Sequence, residues 1–365
     1  MAISFLTRGL KRDFLGCRFT VSDSMTDRQT FWNSRRAVGL WLMAIAAVIM
    51  AMVTIGGLTR LTGSGLSITE WDPIMGAIPP LTDMQWADAF AKYQRIPQYL
   101  AEHQGMSLED FQDIFWWEWT HRFLGRFLGV LFIVPFAFFA WKGAIKKAEW
   151  PRFVILFLLG GFQGFIGWWM VESGLETRIS VSQYRLAIHL GAAILLLGAI
   201  LWIALEYIRD LKNPQTRPCR VFGLAALVYL QMLLGALVAG LHAGLIYNTW
   251  PDMDGRVFPE GAFAIKPWWL NPFENPGLAQ FDHRIGAYIV AAMAAYVYAK
   301  GIRLSGSAKK SAKTVAAFTA AQIGLGIGML LLQVPEGMAA FHQVLAAVLF
   351  CATIWHAYEL RYANA

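Results

Sequence analysis

The chain has 365 residues, of which 57% are hydrophobic and only 15% charged, and a net charge of +7. Soluble domains are about a quarter charged, so the composition excludes an ordinary water-soluble globule. The basicity is not one patch. On the topology derived below, 21 of the 31 Lys and Arg residues but 7 of the 24 acidic ones fall on the inner side, a positive-inside pattern that reports orientation and leaves no nucleic-acid partner expected.

Residues 1–35 contain MAISFLTRGLKRDFLGCRF and DRQTFWNSRR. No apolar core of signal-peptide length precedes the first apolar stretch, so this segment reads as a retained cytosolic tail. An Arg-rich organellar presequence is the alternative, against which Asp13, Asp23 and Asp27 count. A hydrocarbon layer of roughly 30 Å takes about 20 mostly apolar residues per helix. Eight stretches qualify, at about 36–56, 119–141, 153–171, 186–207, 219–241, 281–302, 314–333 and 338–358. Lipid offers the backbone no partner, so these are helices, and the short alternating segments of a membrane barrel are absent. The basic connections WKGAIKKAEWPR, RDLKNPQTRPCR and KGIRLSGSAKKSAK are inner loops, which puts both termini in the cytosol and the chain in the inner (cytoplasmic) membrane among its lipids. The outer segment 57–117 is long and carries amphipathic stretches, expected to lie as short helices on the surface, with Trp116, Trp117 and Trp119 in an interfacial belt. Cys17, Cys219 and Cys351 lie on the inner side or within spans, so no disulfide is expected.

The second half repeats the first. GSGLSITEWDP after span one matches HAGLIYNTWPD after span five, THRFLGR matches DHRIGAY, GFQGFIGWWM matches AAQIGLGIGM, and HLGAA matches HQVLAA. Four spans separate each pair, so both halves have one orientation and the repeat is parallel. The fold expected is an all-α integral membrane protein of eight transmembrane helices forming two pseudo-symmetric four-helix bundles: a tail 1–35, an N-terminal half 36–208 with the outer loop 57–117, and a C-terminal half 209–365.

His121, His189, His283 and His342 each begin an even-numbered span, so they share one depth near the outer surface. A lone membrane histidine is more often a packing residue. Four at one depth, two per half, favour ligation, and two facing imidazoles in an apolar bundle suit an iron porphyrin. Zinc would want more ligands than each pair supplies. Arg122, Arg126 and Arg284 adjoin the histidines, and Arg60, Arg178 and Arg185 sit at outer span ends, where guanidinium is the natural partner of a propionate. Snorkelling to headgroups is the plainer account of any one of them. Glu118 lies one turn before His121, while Gln280 holds the same place before His283. A titratable acid thus adjoins one porphyrin site and not its twin, marking the first half as reactive.

In GGLTRLTGSGLSITEW, EWTHRFLGR, the span-four HL, AGLIYNTWPDMDG, FDHRIGAY and FHQVLAA the chain resembles the haem A synthases, over roughly residues 35–360. It is similar to the alphaproteobacterial and mitochondrial type, which lacks a cysteine pair in the first outer loop. The resemblance implies a membrane oxidoreductase of cytochrome oxidase biogenesis. Haem O would be hydroxylated twice at its C8 methyl group, and the diol would lose water to give the formyl group of haem A. It implies haem O as substrate at His121 and His189, with Arg122 and Arg126 beside it. It further implies haem b at His283 and His342, Glu118 as the catalytic residue that accepts a proton or stabilises the developing cation, and a haem O synthase (farnesyltransferase) as donor. A homo-oligomer is compatible with the sequence. The rival readings are a quinol-linked di-haem b electron carrier, a porphyrin transporter, and a secondary transporter with histidine proton relays.

Overall fold

The computed structural model describes residues 21–72, 75–209 and 221–362, with side chains from residue 35. The first 20 residues with Cys17, Cys219 and most of the inner loop 208–218 lie outside the described residues. Cys351 is a free thiol. The helices are α1 (Val21–Leu61), α2 (Asp83–Tyr93), α3 (Pro97–Glu102), α4 (Leu108–Trp141), α5 (Trp150–Glu172), α6 (Gln183–Arg209), α7 (Gly223–Gly240), α8 (Asn271–Glu274), α9 (Pro276–Gly301), α10 (Gly306–Leu331) and α11 (Glu336–Tyr362). The protein is an all-α integral membrane protein, and seven of the helices are long and apolar enough to cross a membrane. The eighth expected span coincides with α9. It has 26 residues, but five tyrosine and charged positions from Arg284 to Lys300 dilute its apolar character.

Four long helices are central and four peripheral. In the apolar windows of α1, α6 and α11 44% of residues are buried, and in α7 39%, against 6% in α4 and 11% in α5 and α10. Packing explains the contrast. α1 touches α4, α6 and α11; α7 touches α6, α9 and α11; α6 also meets α11 and α5; α4 meets α5; and α10 lies on α9 and α11. The peripheral faces carry Phe, Leu and Val to the outside, such as Val134, Leu158 and Phe162, as a lipid solvent requires. Where central helices meet, a glycine lets a neighbour's side chain in. Tyr229 and Leu233 sit over Gly191, Phe350 over Gly198, and Gln343 over Gly57, where its amide donates to the Val53 carbonyl at 2.7 Å.

The second helix starts earlier than its apolar run. Ser107 and Asp110 form a reciprocal cap, so α4 begins at Leu108 rather than near 119. At 34 residues it is about 50 Å long, more than the roughly 30 Å of a hydrocarbon layer. Its outer turns pack against α2 and α3 around Tyr93 and Phe111, both fully buried, with Leu66, Ile96, Ile114 and Phe115. Burial of Tyr93 pushes its phenol up. The short helices expected in the outer segment are present as α2 and α3, and they form a small cap with a core of its own. Gln98 fastens it to α1 by donating to the Gly63 carbonyl at 2.9 Å.

Gly240 tests the α6–α7 seam. A Cβ there would stand 2.6 Å from Gln183 Cβ and 2.7 Å from its Cα, so helix ends would have to part. Gly240→Ala is expected to cost about 1–3 kcal/mol, read as a lowered unfolding midpoint in detergent. An unchanged midpoint would show that the seam is looser than described.

Candidate functional site

The four histidines stand on α4, α6, α9 and α11, and each ring is seated against a glycine of the helix before it. A Cβ at Gly56 on α1 would lie 2.9 Å from His121 Cε1; at Gly167 on α5, 3.0 Å from His189 Cε1; at Gly235 on α7, 3.1 Å from His283 Cε1; and at Gly326 on α10, 2.9 Å from His342 Cε1. Any larger residue would push against the ring and force it to shift. His121 lies within electrostatic reach of His189, and His342 within reach of His283. One expectation changes. Because of the Ser107 cap, His121 sits 13 residues into its helix and not in the first turns, whereas the other three lie within two turns of a helix start.

Glutamines approach three of the rings. Gln163 Nε2 donates to the His189 carbonyl at 2.7 Å and lies 3.2 Å from Nδ1. Gln231 Nε2 donates to the His283 carbonyl at 2.8 Å and lies 3.0 Å from Nδ1. Gln322 Nε2 donates to the His342 carbonyl at 3.0 Å and lies 3.2 Å from Nε2. These glutamines escaped the sequence reading, although each precedes its glycine by four residues.

Glu118 and Gln280 hold loops. Glu118, 3% exposed, accepts from Ser67 Oγ and Ile68 N, both at 2.8 Å, through one oxygen. Its other oxygen accepts from Arg122 Nε at 3.1 Å and Nη2 at 2.7 Å. Arg122 also donates to the Ile68 and Glu70 carbonyls at 2.8 and 2.9 Å. The other half repeats this with polarity reversed. The Gln280 amide donates to the Ala243 and Tyr247 carbonyls at 2.9 and 3.2 Å and accepts from Arg284 at 3.1 Å. Arg284 donates to the Asp252 and Tyr247 carbonyls at 2.7 and 3.1 Å. The acid thus faces a loop that offers donors, and the amide one that offers acceptors. The four-residue spacing of Glu118 to Arg122 and Gln280 to Arg284 was the available signal.

The arginines divide accordingly. Arg122 and Arg284 are engaged in these clamps rather than turned to an empty space for a ligand's carboxylates. Arg126 donates to the Asp72 carbonyl at 2.8 Å. Arg178 bonds Gln183 at 3.1 Å, and Arg185 bonds the Trp169 carbonyl at 2.5 Å and stacks on its ring. Arg60, at the outer end of α1, makes no hydrogen bond or ion pair among the described residues and lies in electrostatic reach of His242. Burial pushes the His242 imidazole down. His242 has a left-handed backbone, φ 52°, where Gly63 has φ 66° in the first half, a strained choice for a residue with a side chain. A cavity of about 240 Å³ opens beside the first clamp, between Arg122, Glu70, Trp71 and Trp168.

Two observations test whether these residues fit a porphyrin iron. His121 Nδ1 and His342 Nδ1, one nitrogen from each pair, are buried without a hydrogen-bond partner, a costly state that a coordinated metal relieves. No cluster of three or more His, Cys, Asp or Glu occurs among the described residues, so a multi-ligand ion site has no donor set there. Paired imidazoles in an apolar bundle remain, and they fit.

Comparison with known proteins agrees. The COX15-CtaA family, cytochrome oxidase assembly proteins, matches residues 39–354. The heme A synthase of Parvibaculum lavamentivorans is 47% identical over 334 residues, covering 90% of this chain and 95% of that protein. Those of Allorhizobium ampelinum and Bradyrhizobium diazoefficiens are 48% and 47% identical, covering 90% and 87% of this chain and 92% and 90% of the relatives. The chain belongs to the COX15-CtaA family of cytochrome oxidase assembly proteins.

Proposed function

We propose that the chain is a membrane-bound oxidoreductase that converts haem O to haem A for cytochrome oxidase, by two hydroxylations of the C8 methyl group and loss of water to a formyl group. The carrying observation is the doubled His-on-glycine seat, found in a chain close to half identical to heme A synthases over most of its length. In this reading α9 is the eighth span, and 36–208 and 209–365 form two four-helix halves. The repeated pattern of helix neighbours supports that division. The termini face the cytosol, and the membrane is the cytoplasmic one.

His121 and His189 hold the substrate, haem O, and His283 and His342 hold haem b. Bound haem b supplies one-electron transfer to an outside acceptor. The protein residues do the rest. The glycine seats set where the imidazoles stand and exclude water from them. Glu118 is fixed by four donors that occupy its lone pairs. That favours a preorganised negative charge, opposing positive charge as it grows at the methyl carbon, over a mobile proton acceptor. Gln280 has no such charge, so the second half binds without reacting. Arg60, near the seam of the halves, is the open partner for a propionate, with Arg178 in the loop before α6 and Arg185 in the first turn of α6 as further candidates. The donor of substrate is a haem O-forming farnesyltransferase.

Pigment extracted from the purified chain, co-expressed with such a farnesyltransferase, should contain haem A and haem O beside haem b. Two equal b haems and neither of the others would turn the reading into the di-haem electron carrier, which the near-identical clamps also allow. Glu118→Gln should keep its pigment and lower haem A formation by about 10²-fold, the scale of one preorganised charge contact. Wild-type haem A yield from that variant would remove Glu118 from the chemistry.

A further inference from the structure

Four residues occupy one position of the fourfold pattern. Met52, Gln163, Gln231 and Gln322 each precede by four residues the glycine under a histidine, on α1, α5, α7 and α10. Three are glutamines that donate to the carbonyl of their histidine, at 2.7, 2.8 and 3.0 Å. The fourth is a methionine. Its Cε reaches across to α4 at Gly125, 3.4 Å from where a Cβ would stand, much as Gln231 lies over Gly286 on α9. The same groove is filled, but a thioether has no N–H to donate.

We infer that Gln163, Gln231 and Gln322 are positioning residues that fix His189, His283 and His342 to their neighbouring helices, and that Met52 leaves His121 as the ligand able to let go. This rests on the porphyrin reading above. A substrate site must release its product, and a cofactor site must not. In the second half both imidazoles are tied by glutamine. In the first half only His189 is tied by a glutamine amide, and His121 reaches α1 through the Met52 backbone alone, so a macrocycle there can stay on His189 while His121 moves off its seat at Gly56 on α1. His121 departs as a neutral imidazole, taking its own lone pair, and no other bond changes.

The test uses the full chain in detergent, loaded with ferric protoporphyrin IX and mixed with excess apomyoglobin, with loss followed in the Soret band. Wild type should release in two phases. Met52→Gln should slow the fast phase about three- to twentyfold, the worth of one interhelical hydrogen bond in a membrane. It should also raise the low-spin fraction of the ferric EPR spectrum and leave the slow phase alone. Met52→Leu should change neither phase, and Gln231→Met should speed the slow one. A fast phase unmoved by Met52→Gln, or slowed equally by Met52→Leu, would overturn the inference. A chain that takes up no ferric porphyrin would instead overturn the porphyrin reading, and this inference with it.

Discussion

The seat of an imidazole edge on a bare glycine sets the geometry of the outer half of the molecule. A histidine inside an apolar bundle is costly unless something satisfies its ring, and it fits between two helices only where one of them lacks a Cβ. Gly56, Gly167, Gly235 and Gly326 supply that gap. Each seat joins two long helices that follow one another in the chain, with only short helices or loops between them. The central helices α6 and α11 and the peripheral α4 and α9 carry one ring each, His189 within electrostatic reach of His121 and His283 within reach of His342.

Above the seats, the outer loops are pinned by a polar residue and an arginine one turn apart. Both clamps reach into the loop that follows the first helix of their half, and both use backbone carbonyls as acceptors for guanidinium. In a dry, low-dielectric setting such charge-assisted bonds hold geometry well. The two clamps differ in one functional group. That difference leaves the second loop anchored by a neutral amide and the first by a charge, so two structurally equivalent sites have different electrostatics.

Much of this was legible in the residues themselves. Apolar length and loop charge located the helices, because lipid leaves the backbone no alternative. The four histidines stood out, because ionisable groups are rare in such helices. Boundaries were less legible. The Ser107 cap extends α4 by about three turns, and amphipathic α2 and α3 showed no sign that they would close a core around Tyr93 and Phe111. α9 matches its expected position but is diluted by Arg284, Tyr288 and the later tyrosines. The glutamine contacts were hidden for a different reason. They join residues on neighbouring helices at unequal separations, 26 residues for Gln163 and His189 but 52 for Gln231 and His283, and the first copy carries methionine. Arg122 and Arg284 were read as ligand partners because loop carbonyls, their actual acceptors, leave no mark in side-chain spelling.

The central claim is that iron stands between the imidazoles of each pair. A density map of the pigmented protein in a lipid nanodisc tests it most directly. The account expects iron within coordination distance of both His283 and His342, and a second macrocycle between His121 and His189 when haem O is supplied. Macrocycles bound elsewhere, or histidine rings still packed on their glycines with no metal between them, would contradict it.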